Sequence, residues 1–192
     1  VERGAGGLTV GSPVRKMGLK TSPMCELFLD GCEIPAENLL GREGAGKNLF
    51  TDSMNWERSC ILASAVGAMQ RLLDTSVKYA SERKQFGQPI VKFQLVASRL
   101  VDMKLRLETS RALLYRAGWM KAKGRSIFLE AALAKLHISE SWVASAQDAL
   151  QIHGGYGYMA EYEVERELRD AIASRIYSGT SEIQRMIIAP LL

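Results

Sequence analysis

The feature that most constrains the fold is an apolar repeat with helical spacing, which begins near residue 46 and continues towards the C-terminus. Between Pro89 and Lys123 the apolar side chains recur at steps of three and four residues. Such steps place side chains on one face of an α-helix. The residues that form this face are Phe93, Val96, Ala97, Leu100, Met103, Leu107 and Leu114. The pattern therefore predicts a long amphipathic helix that begins after Pro89 and ends near Lys123.

Four further segments carry helical patterns of the same kind. We predict helices over about 48–81, 127–152, 163–176 and 181–189, with Pro190 ending the last one. The segment 127–152 is rich in alanine, which allows neighbouring helices to approach closely. Long helices joined by short links are typical of an up-down helical bundle.

The first 45 residues differ in composition from the rest of the chain, because glycine and proline recur at short intervals. Strand-like runs lie between these residues, at 25–30 and at 8–10. The sequence thus predicts a mainly α fold, in which an up-down helical bundle is preceded by a short β segment. We expect the β segment over 1–45 and the bundle over 46–192.

Composition argues against several classes of function. The net charge of +4 is mild, and the basic residues are scattered rather than clustered as in nucleic-acid-binding proteins. Cys25, Cys32 and Cys60 lack metal-ligand spacing, and the chain has only two histidines, so we predict no metal site. No apolar run reaches the roughly 20 residues of a membrane span. Without a signal peptide in view, we expect a cytoplasmic location, or the mitochondrial matrix in a eukaryote.

Residues 177–185 combine an aromatic residue, a glycine turn and a Thr180 cap that leads into an amphipathic helix. Free backbone amides converge at such a helix start, and they suit an anionic or strongly polarised ligand atom. The simplest interpretation is an N-cap followed by an acidic first turn. This interpretation is compatible with a ligand site at the same helix start.

Three other features have structural interpretations of their own. Residues 82–87 read as a cationic helix end with Gly87 in the turn, and residues 151–157 as a glycine C-cap followed by a loop. Without a neighbouring carboxylate in sequence, His153 reads as a loop or packing residue. Glu57 beside Arg58 is typical of a solvated pair on a helix surface.

Taken together, the segments 177–185, 82–87 and 151–157 resemble the C-terminal part of the acyl-CoA dehydrogenases. Residues 16–41 are similar to the second half of the middle β domain in that family, so the resemblance covers nearly the whole chain. The family's N-terminal helical domain and the first half of its β domain have no counterpart here. We therefore expect half of a flavin site, in a fragment or in one part of an assembly.

The resemblance implies FAD as the cofactor. In the family, the segment that contains Arg83 contacts the diphosphate and adenosine end of a flavin bound to an adjacent subunit. The residues that match the family's flavin contacts are Arg83, Gln85, Phe86, Phe93, Gln94, Gln151, Gly154, Gly155, Thr180 and Glu182.

The resemblance also implies where the catalytic base lies. Many family members carry a glutamate immediately before the Gly-Thr of the last turn, where this chain has Ser178. The isovaleryl- and long-chain-type enzymes instead carry it on the first helix of the bundle, where this chain has Glu57. The predicted base is Glu57, with Asn55, Arg58, Ser178 and Gly179 as substrate-binding residues.

The expected reaction is FAD-dependent α,β-dehydrogenation of an acyl thioester, in which Glu57 removes the α proton and hydride passes to flavin N5. A small Ser178 favours a branched, cyclic or bulky acyl-CoA. We expect a homo-oligomer, either a tetramer or a dimer, with an electron-transfer flavoprotein as the electron acceptor.

Three alternatives stay open at this point. The acyl or aminoacyl group could be tethered to a carrier protein, since coenzyme A and carrier proteins share the phosphopantetheine arm. The chain could be a non-catalytic helical partner that completes another chain's flavin site. Flavin monooxygenases with the same fold are the third alternative, and they would not need Glu57.

Overall fold

The computed structural model describes all 192 residues of the chain, which form two compact units at 1–53 and 54–192. The first unit contains a two-stranded antiparallel sheet of β1 (Leu8–Val10) and β2 (Leu27–Leu29). Leu8 lies opposite Leu29 and Val10 opposite Leu27. This unit buries no large apolar side chain, so its order rests on strand pairing and turns rather than on a core.

The rest of the chain is helical, as predicted. Its helices are α1 (Gly46–Cys60), α2 (Ala63–Glu82), α3 (Gln94–Ala122), α4 (Phe128–His153), α5 (Val164–Ala173) and α6 (Ser181–Ile188). The boundary between the two units falls within α1. The expected class, a helical bundle after a short β segment, is confirmed.

Helix α4 is the centre of the bundle, because α2, α3, α5 and α6 all pack against it. Buried side chains therefore cover most of the circumference of α4, and only a narrow stripe that includes Leu133, Gln147 and Gln151 is exposed to solvent. Small residues make this packing possible, since they let the helix axes approach closely. The fully buried alanines of α4 are Ala131, Ala132, Ala134, Ala146 and Ala149.

The single helix predicted over 48–81 is wrong, because the chain breaks between α1 and α2. Leu62 has φ −90° and ψ 8°, outside the helical region. Near the break, Ser59 Oγ donates to the Trp56 carbonyl at 2.7 Å, and Ser64 Oγ donates to the Ile61 carbonyl at 3.1 Å. Serine hydroxyls that bond nearby carbonyls compete with the helical ladder and bend or interrupt it.

Two other boundaries differ from the prediction. A small hairpin of β3 (Lys84–Gln85) and β4 (Gln88–Pro89) follows α2, where only a turn was expected. Phe86 and Gly87 form its turn with φ of 50° and 81°, the left-handed geometry of tight hairpins. Helix α5 ends at Ala173, three residues before the predicted end, and turns follow it.

None of these helices combines the length and the hydropathy that crossing a membrane would require. Nor does the structure gather three or more His, Cys, Asp or Glu side chains into a group that could hold a metal ion.

One buried carboxylate joins α3 to α4. Asp148 is 7% exposed, and its two oxygens accept hydrogen bonds from Arg99 Nη1 at 2.5 Å and from Arg106 Nη1 at 2.7 Å. Hydrogen bonds between charged partners are stronger than those between neutral groups. Two cations on one helix therefore balance a charge that would otherwise be costly to bury on the other.

We expect Asp148→Asn to lower the free energy of unfolding by about 2 kcal/mol, because it removes the counter-charge of two arginines. The cost stays below that of a fully buried pair, since both arginines reach solvent. Urea denaturation measures the change. The control is Glu108→Gln at the exposed pair with Lys104, which should leave the free energy of unfolding close to the wild-type value. Equal losses in the two variants would contradict the assignment.

Candidate active site

The end of α1 and the turn before α6 meet through two consecutive side chains. Ser178 Oγ donates a hydrogen bond to Glu57 Oε1, across 121 residues of sequence. The next residue, Arg58, donates from Nε to the Ser178 carbonyl at 3.3 Å. Glu57, Arg58 and Ser178 are all half-buried. The structure thus brings the predicted base together with two predicted substrate-binding residues in one group, the Glu57 cluster.

The turn that carries Ser178 has an unusual backbone. Ser178 and Gly179 both lie in the left-handed region, with φ of 55° and 92°. This conformation is costly for serine and easy for glycine. A Cβ on Gly179 would lie 2.7 Å from Gln184 Nε2, so residue 179 has no space for a side chain.

The Gln184 side chain holds the turn by hydrogen bonds to its backbone carbonyls. Its side chain is fully buried, and its Nε2 donates to the Gly179 carbonyl at 3.0 Å and to the Ser178 carbonyl at 3.4 Å. With the Arg58 bond, both carbonyls of the turn are satisfied. A peptide turn whose carbonyls are held on one side is ordered enough to present its amides in a fixed direction.

The start of α6 has the predicted cap. Thr180 Oγ1 accepts a hydrogen bond from the Ile183 amide at 3.3 Å. The Glu182 carboxylate bonds its own backbone amide and the Thr180 side chain, and these bonds lower the pKa of Glu182. The amides of Ser178, Gly179 and Thr180 make no hydrogen bond within the chain. Three unused donors therefore lie at the positive end of a helix.

Three carboxylates surround this turn, and they differ in their partners. Glu140 accepts from Ser181 Oγ at 2.6 Å and from Arg175 Nε at 3.1 Å. Glu182 is held by an amide. Glu57 differs from both, because a neutral hydroxyl is its sole hydrogen-bond partner. A proton could therefore reach Glu57 without breaking a hydrogen bond to a cation or to a backbone amide.

Two polar residues of α1, Arg58 of the Glu57 cluster and the nearby Asn55, complete the site. Burial lowers the pKa of the Arg58 guanidinium, and the neighbouring Glu57 carboxylate opposes this change. Asn55 lies one turn before Arg58, and its Oδ1 is buried without a hydrogen-bond partner. An amide oxygen without a donor is costly inside a protein, so Asn55 is suited to accept a hydrogen bond from a ligand.

A second group, the Arg83 cavity, lies where α2 ends and α4 ends. Its volume is about 570 Å³. The predicted cofactor residues that line it are Arg83, Gln85, Gly154 and Gly155. The Arg83 guanidinium lies 5.6 Å from the centre of the Tyr156 ring, which also lines the cavity.

The lining of the Arg83 cavity fits part of a dinucleotide such as FAD. A side chain at Gly154 or Gly155 would meet nothing within 4 Å, so a ligand can approach this backbone closely. The rings of Tyr79 and Tyr156 also line the cavity, and Tyr79 is held in place by stacking on His153 with ring centres 4.2 Å apart. Together with the Arg83 cation, these features suit a ligand that carries both phosphates and rings.

His153 is a packing residue, as predicted. It is 3% exposed, and its Nδ1 lies 2.7 Å from the Ala149 carbonyl. Burial lowers its pKa, which favours the neutral ring.

The other predicted cofactor residues do not line the Arg83 cavity. Phe86 is at the hairpin tip, 92% exposed, with its ring edge-on to Phe93 at 6.1 Å. Gln94 and Gln151 are exposed near the ends of α3 and α4, whereas Thr180 and Glu182 belong to the start of α6 beside the Glu57 cluster.

Sequence reasoning missed several residues of these groups. Tyr79, Tyr156 and Gln184 have no sequence signal that distinguishes them from ordinary packing residues. Lys135 was missed as well, although a lysine within the alanine-rich stretch of α4 was a visible anomaly.

Comparison with known proteins agrees with this geometry. Residues 44–192 match the sequence model for the C-terminal domain of acyl-CoA dehydrogenases. The L-prolyl-[peptidyl-carrier protein] dehydrogenase of Pseudomonas fluorescens is 45% identical over 98% of this chain and 50% of its own length. A probable acyl-CoA dehydrogenase of Bacillus subtilis, YngJ, is 47% identical over 95% of this chain and 48% of its own length.

Solved structures agree as well. The prolyl acyl carrier protein oxidase AnaB superimposes with a TM-score of 0.98 at 55% identity, over 100% of this chain and 50% of AnaB. PigA, solved with FAD and proline, superimposes with a TM-score of 0.97 at 43% identity over the same shares of the two chains. The expected cofactor, FAD, is thus confirmed among the structural relatives. The chain spans about half the length of the relatives it matches. On the match over most of its residues, the chain belongs to the acyl-CoA dehydrogenase family.

Proposed function

We propose that the protein carrying this chain is a FAD-dependent dehydrogenase of acyl thioesters, with Glu57 as the catalytic base. The observation that supports this most directly is the hydrogen bond between Ser178 and Glu57, because it joins the two positions at which this family carries its base. A glutamate at one position and a small hydroxyl residue at the other leave a single carboxylate for the reaction.

Glu57 removes the proton from the carbon next to the thioester carbonyl. The amides of Ser178, Gly179 and Thr180, which have no partner within the chain, point the positive end of α6 at the carbonyl oxygen as it gains negative charge. Bound FAD would supply the acceptor for the hydride of the β carbon, so that the products would be an α,β-unsaturated thioester and reduced flavin.

Ser178 orients the base. Its hydroxyl holds one oxygen of Glu57, which leaves the other oxygen to take the proton. Serine is also shorter than glutamate, and the space it leaves suits a branched or cyclic acyl group. Arg58 holds the Ser178 carbonyl and reaches towards the carrier portion of the substrate.

The second candidate substrate is a cyclic aminoacyl group on a carrier protein. Its support is the similarity to AnaB and to the Pseudomonas fluorescens enzyme, whose names specify a prolyl group on a carrier protein. Proline is cyclic and compact, so a prolyl group also suits the space that the short Ser178 side chain leaves.

The cofactor residues fall into two groups, at the Arg83 cavity and at the start of α6, and this division supports a flavin shared between two copies of the protein. A homo-oligomer follows, with an electron-transfer flavoprotein as the acceptor for reduced flavin.

We expect Glu57→Gln to lower kcat by about 10²- to 10⁴-fold, the usual contribution of a general base. Bleaching of bound flavin by an acyl thioester measures the rate. The flavin content should stay at the wild-type level, because glutamine keeps the size of the side chain. Asp52→Asn, at an exposed carboxylate of the same helix, is the control and should turn over normally. Full turnover in Glu57→Gln would rule out the base and favour a monooxygenase.

The same flavin-bleaching assay distinguishes coenzyme A substrates from substrates on a carrier protein. Prolyl, isovaleryl and butyryl groups are each presented as coenzyme A esters and as loaded carrier proteins. Bleaching by the carrier-bound prolyl group alone would identify a carrier-protein dehydrogenase, whereas bleaching by free coenzyme A esters would identify an acyl-CoA dehydrogenase. No bleaching by any of them would contradict the proposed function.

We expect Arg83→Met to weaken FAD retention by about tenfold or more, since a hydrogen bond from a cation to a phosphate contributes about 1.5–3 kcal/mol. Equilibrium dialysis against FAD measures the dissociation constant. Lys84→Met is the matched control, because Lys84 is an exposed neighbouring cation that does not line the cavity. Equal weakening in both variants would indicate a general charge effect rather than a contact of Arg83.

A further inference from the structure

Lys135 is the most unusual charged residue of the bundle. It lies on α4 with none of its surface exposed, and its Nζ has no hydrogen-bond partner. Lysine is almost never fully buried in proteins unless it is paired. Burial lowers the pKa of the Lys135 ammonium to about 8, and the charges of Glu140, Arg58 and Glu182 also act on it. At neutral pH the group therefore still carries its positive charge.

The charges that act on Lys135 all belong to the surroundings of the Ser178 turn. Arg58 on α1 bonds the Ser178 carbonyl. Glu140 on α4 accepts from Ser181 Oγ and from Arg175, and Glu182 lies in the first turn of α6. One turn after Lys135 on α4, the Ser139 carbonyl accepts a hydrogen bond from Ser174 Oγ at 3.5 Å, so this part of α4 packs against the segment that leads into the Ser178 turn.

Two buried acceptors in the same region also lack partners. They are Gln184 Oε1 and Asn55 Oδ1, and each is an amide oxygen. The ammonium is a donor of three hydrogen bonds and cannot accept one. Buried donors and acceptors in native proteins are almost always paired, directly or through an ordered water. The Lys135 ammonium is thus a donor without an acceptor, and the two amide oxygens are acceptors without a donor.

We propose that Lys135 is a positioning residue for the reaction, whose buried charge orients the Gln184 amide electrostatically beneath the Ser178–Thr180 turn and adds positive charge behind the thioester oxygen. The inference rests on the proposed function of the Glu57 cluster. Gln184 transmits the first effect, since its Nε2 holds both carbonyls of the turn. Arg58 contributes to the second, because its guanidinium interacts with the Lys135 charge and bonds the Ser178 carbonyl.

The positive charge acts on the transition state rather than on the ground state. When Glu57 takes the α proton, the thioester oxygen gains negative charge. A fixed cation in a site of low dielectric stabilises that charge without having to reorganise. The thioester before proton transfer is neutral at this oxygen, so Lys135 should affect kcat more than KM.

A purely structural lysine predicts a different result. Replacing a buried, unpaired charge with an apolar side chain of similar size usually leaves stability unchanged or raises it. The folded-state pKa of Lys135 lies below its unfolded value, so the charge costs stability below about pH 8, and the cost disappears as pH rises from there towards the unfolded pKa. Lys135→Met should therefore fold at least as stably as the wild type at pH 7.

The test uses the native, flavin-containing protein and a 3-oxoacyl thioester, which the enzyme cannot oxidise in the normal way. The enolate of this ligand absorbs in the near ultraviolet, so a pH titration gives the apparent pKa of the bound ligand. We expect Lys135→Met to raise that pKa by about one unit, and Lys135→Arg to restore most of the difference. With a substrate, Lys135→Met should lose about tenfold in kcat with KM within threefold of wild type.

The pH profile gives a second readout. In the wild type, kcat should fall as pH rises through about 8, because Lys135 loses its charge there. This alkaline limb should be absent in Lys135→Met. The matched control is Lys104→Met, at an exposed lysine of α3, which should keep both the limb and the ligand pKa of the wild type.

Each outcome decides the proposal. An unchanged ligand pKa and an unchanged alkaline limb in Lys135→Met overturn it. If Lys135→Met does not fold, Lys135→Gln, which stays polar without a charge, takes its place, and failure of both variants overturns the proposal in favour of a structural role. A wild type that stabilises the enolate but bleaches with no thioester contradicts the dehydrogenase and leaves the role of Lys135 standing.

Discussion

The burial of most of the surface of α4 is the constraint on which the rest of the bundle depends. Four other helices bury their apolar faces against this one, so none of them can shift without exposing the shared core. The constraint also explains the small residues of α4, because five fully buried alanines leave space for close neighbours. Only a narrow stripe of α4 faces solvent, so most polar residues on this helix are buried and need a partner.

The Glu57 cluster depends on that packing rather than on local sequence. Glu57 and Ser178 meet across 121 residues, because the helices around α4 bring the end of α1 and the start of α6 together. The turn itself is unfavourable in isolation, since Ser178 adopts φ of 55°. Gln184 and Arg58 hold its carbonyls and offset that cost. Strained backbone that surrounding bonds hold in place is a common feature of functional sites.

Sequence patterns predicted what depends on periodicity and on caps. The spacing of apolar residues predicted α3 to within a few residues, and Thr180 was recognised as the cap of α6. The break at Leu62 was not predictable, because the competing bonds of Ser59 and Ser64 leave no trace in the apolar pattern. Contacts such as that between Ser178 and Glu57 arise from tertiary packing, and only family resemblance suggested that the two positions were related.

Two buried charges on α4 show how structural and functional roles can be distinguished. Asp148 has two arginine partners, so its charge is balanced where it lies and its role in joining α3 to α4 is complete. Lys135 is more deeply buried and its ammonium has no hydrogen bond, on a part of α4 that packs against the segment leading into the Ser178 turn. The carboxylates of Glu140 and Glu182 favour the Lys135 charge but make no hydrogen bond to it, and an apolar residue would pack there at lower cost. Such a charge is retained where the balancing negative charge appears only during the reaction, on the oxygen of the substrate.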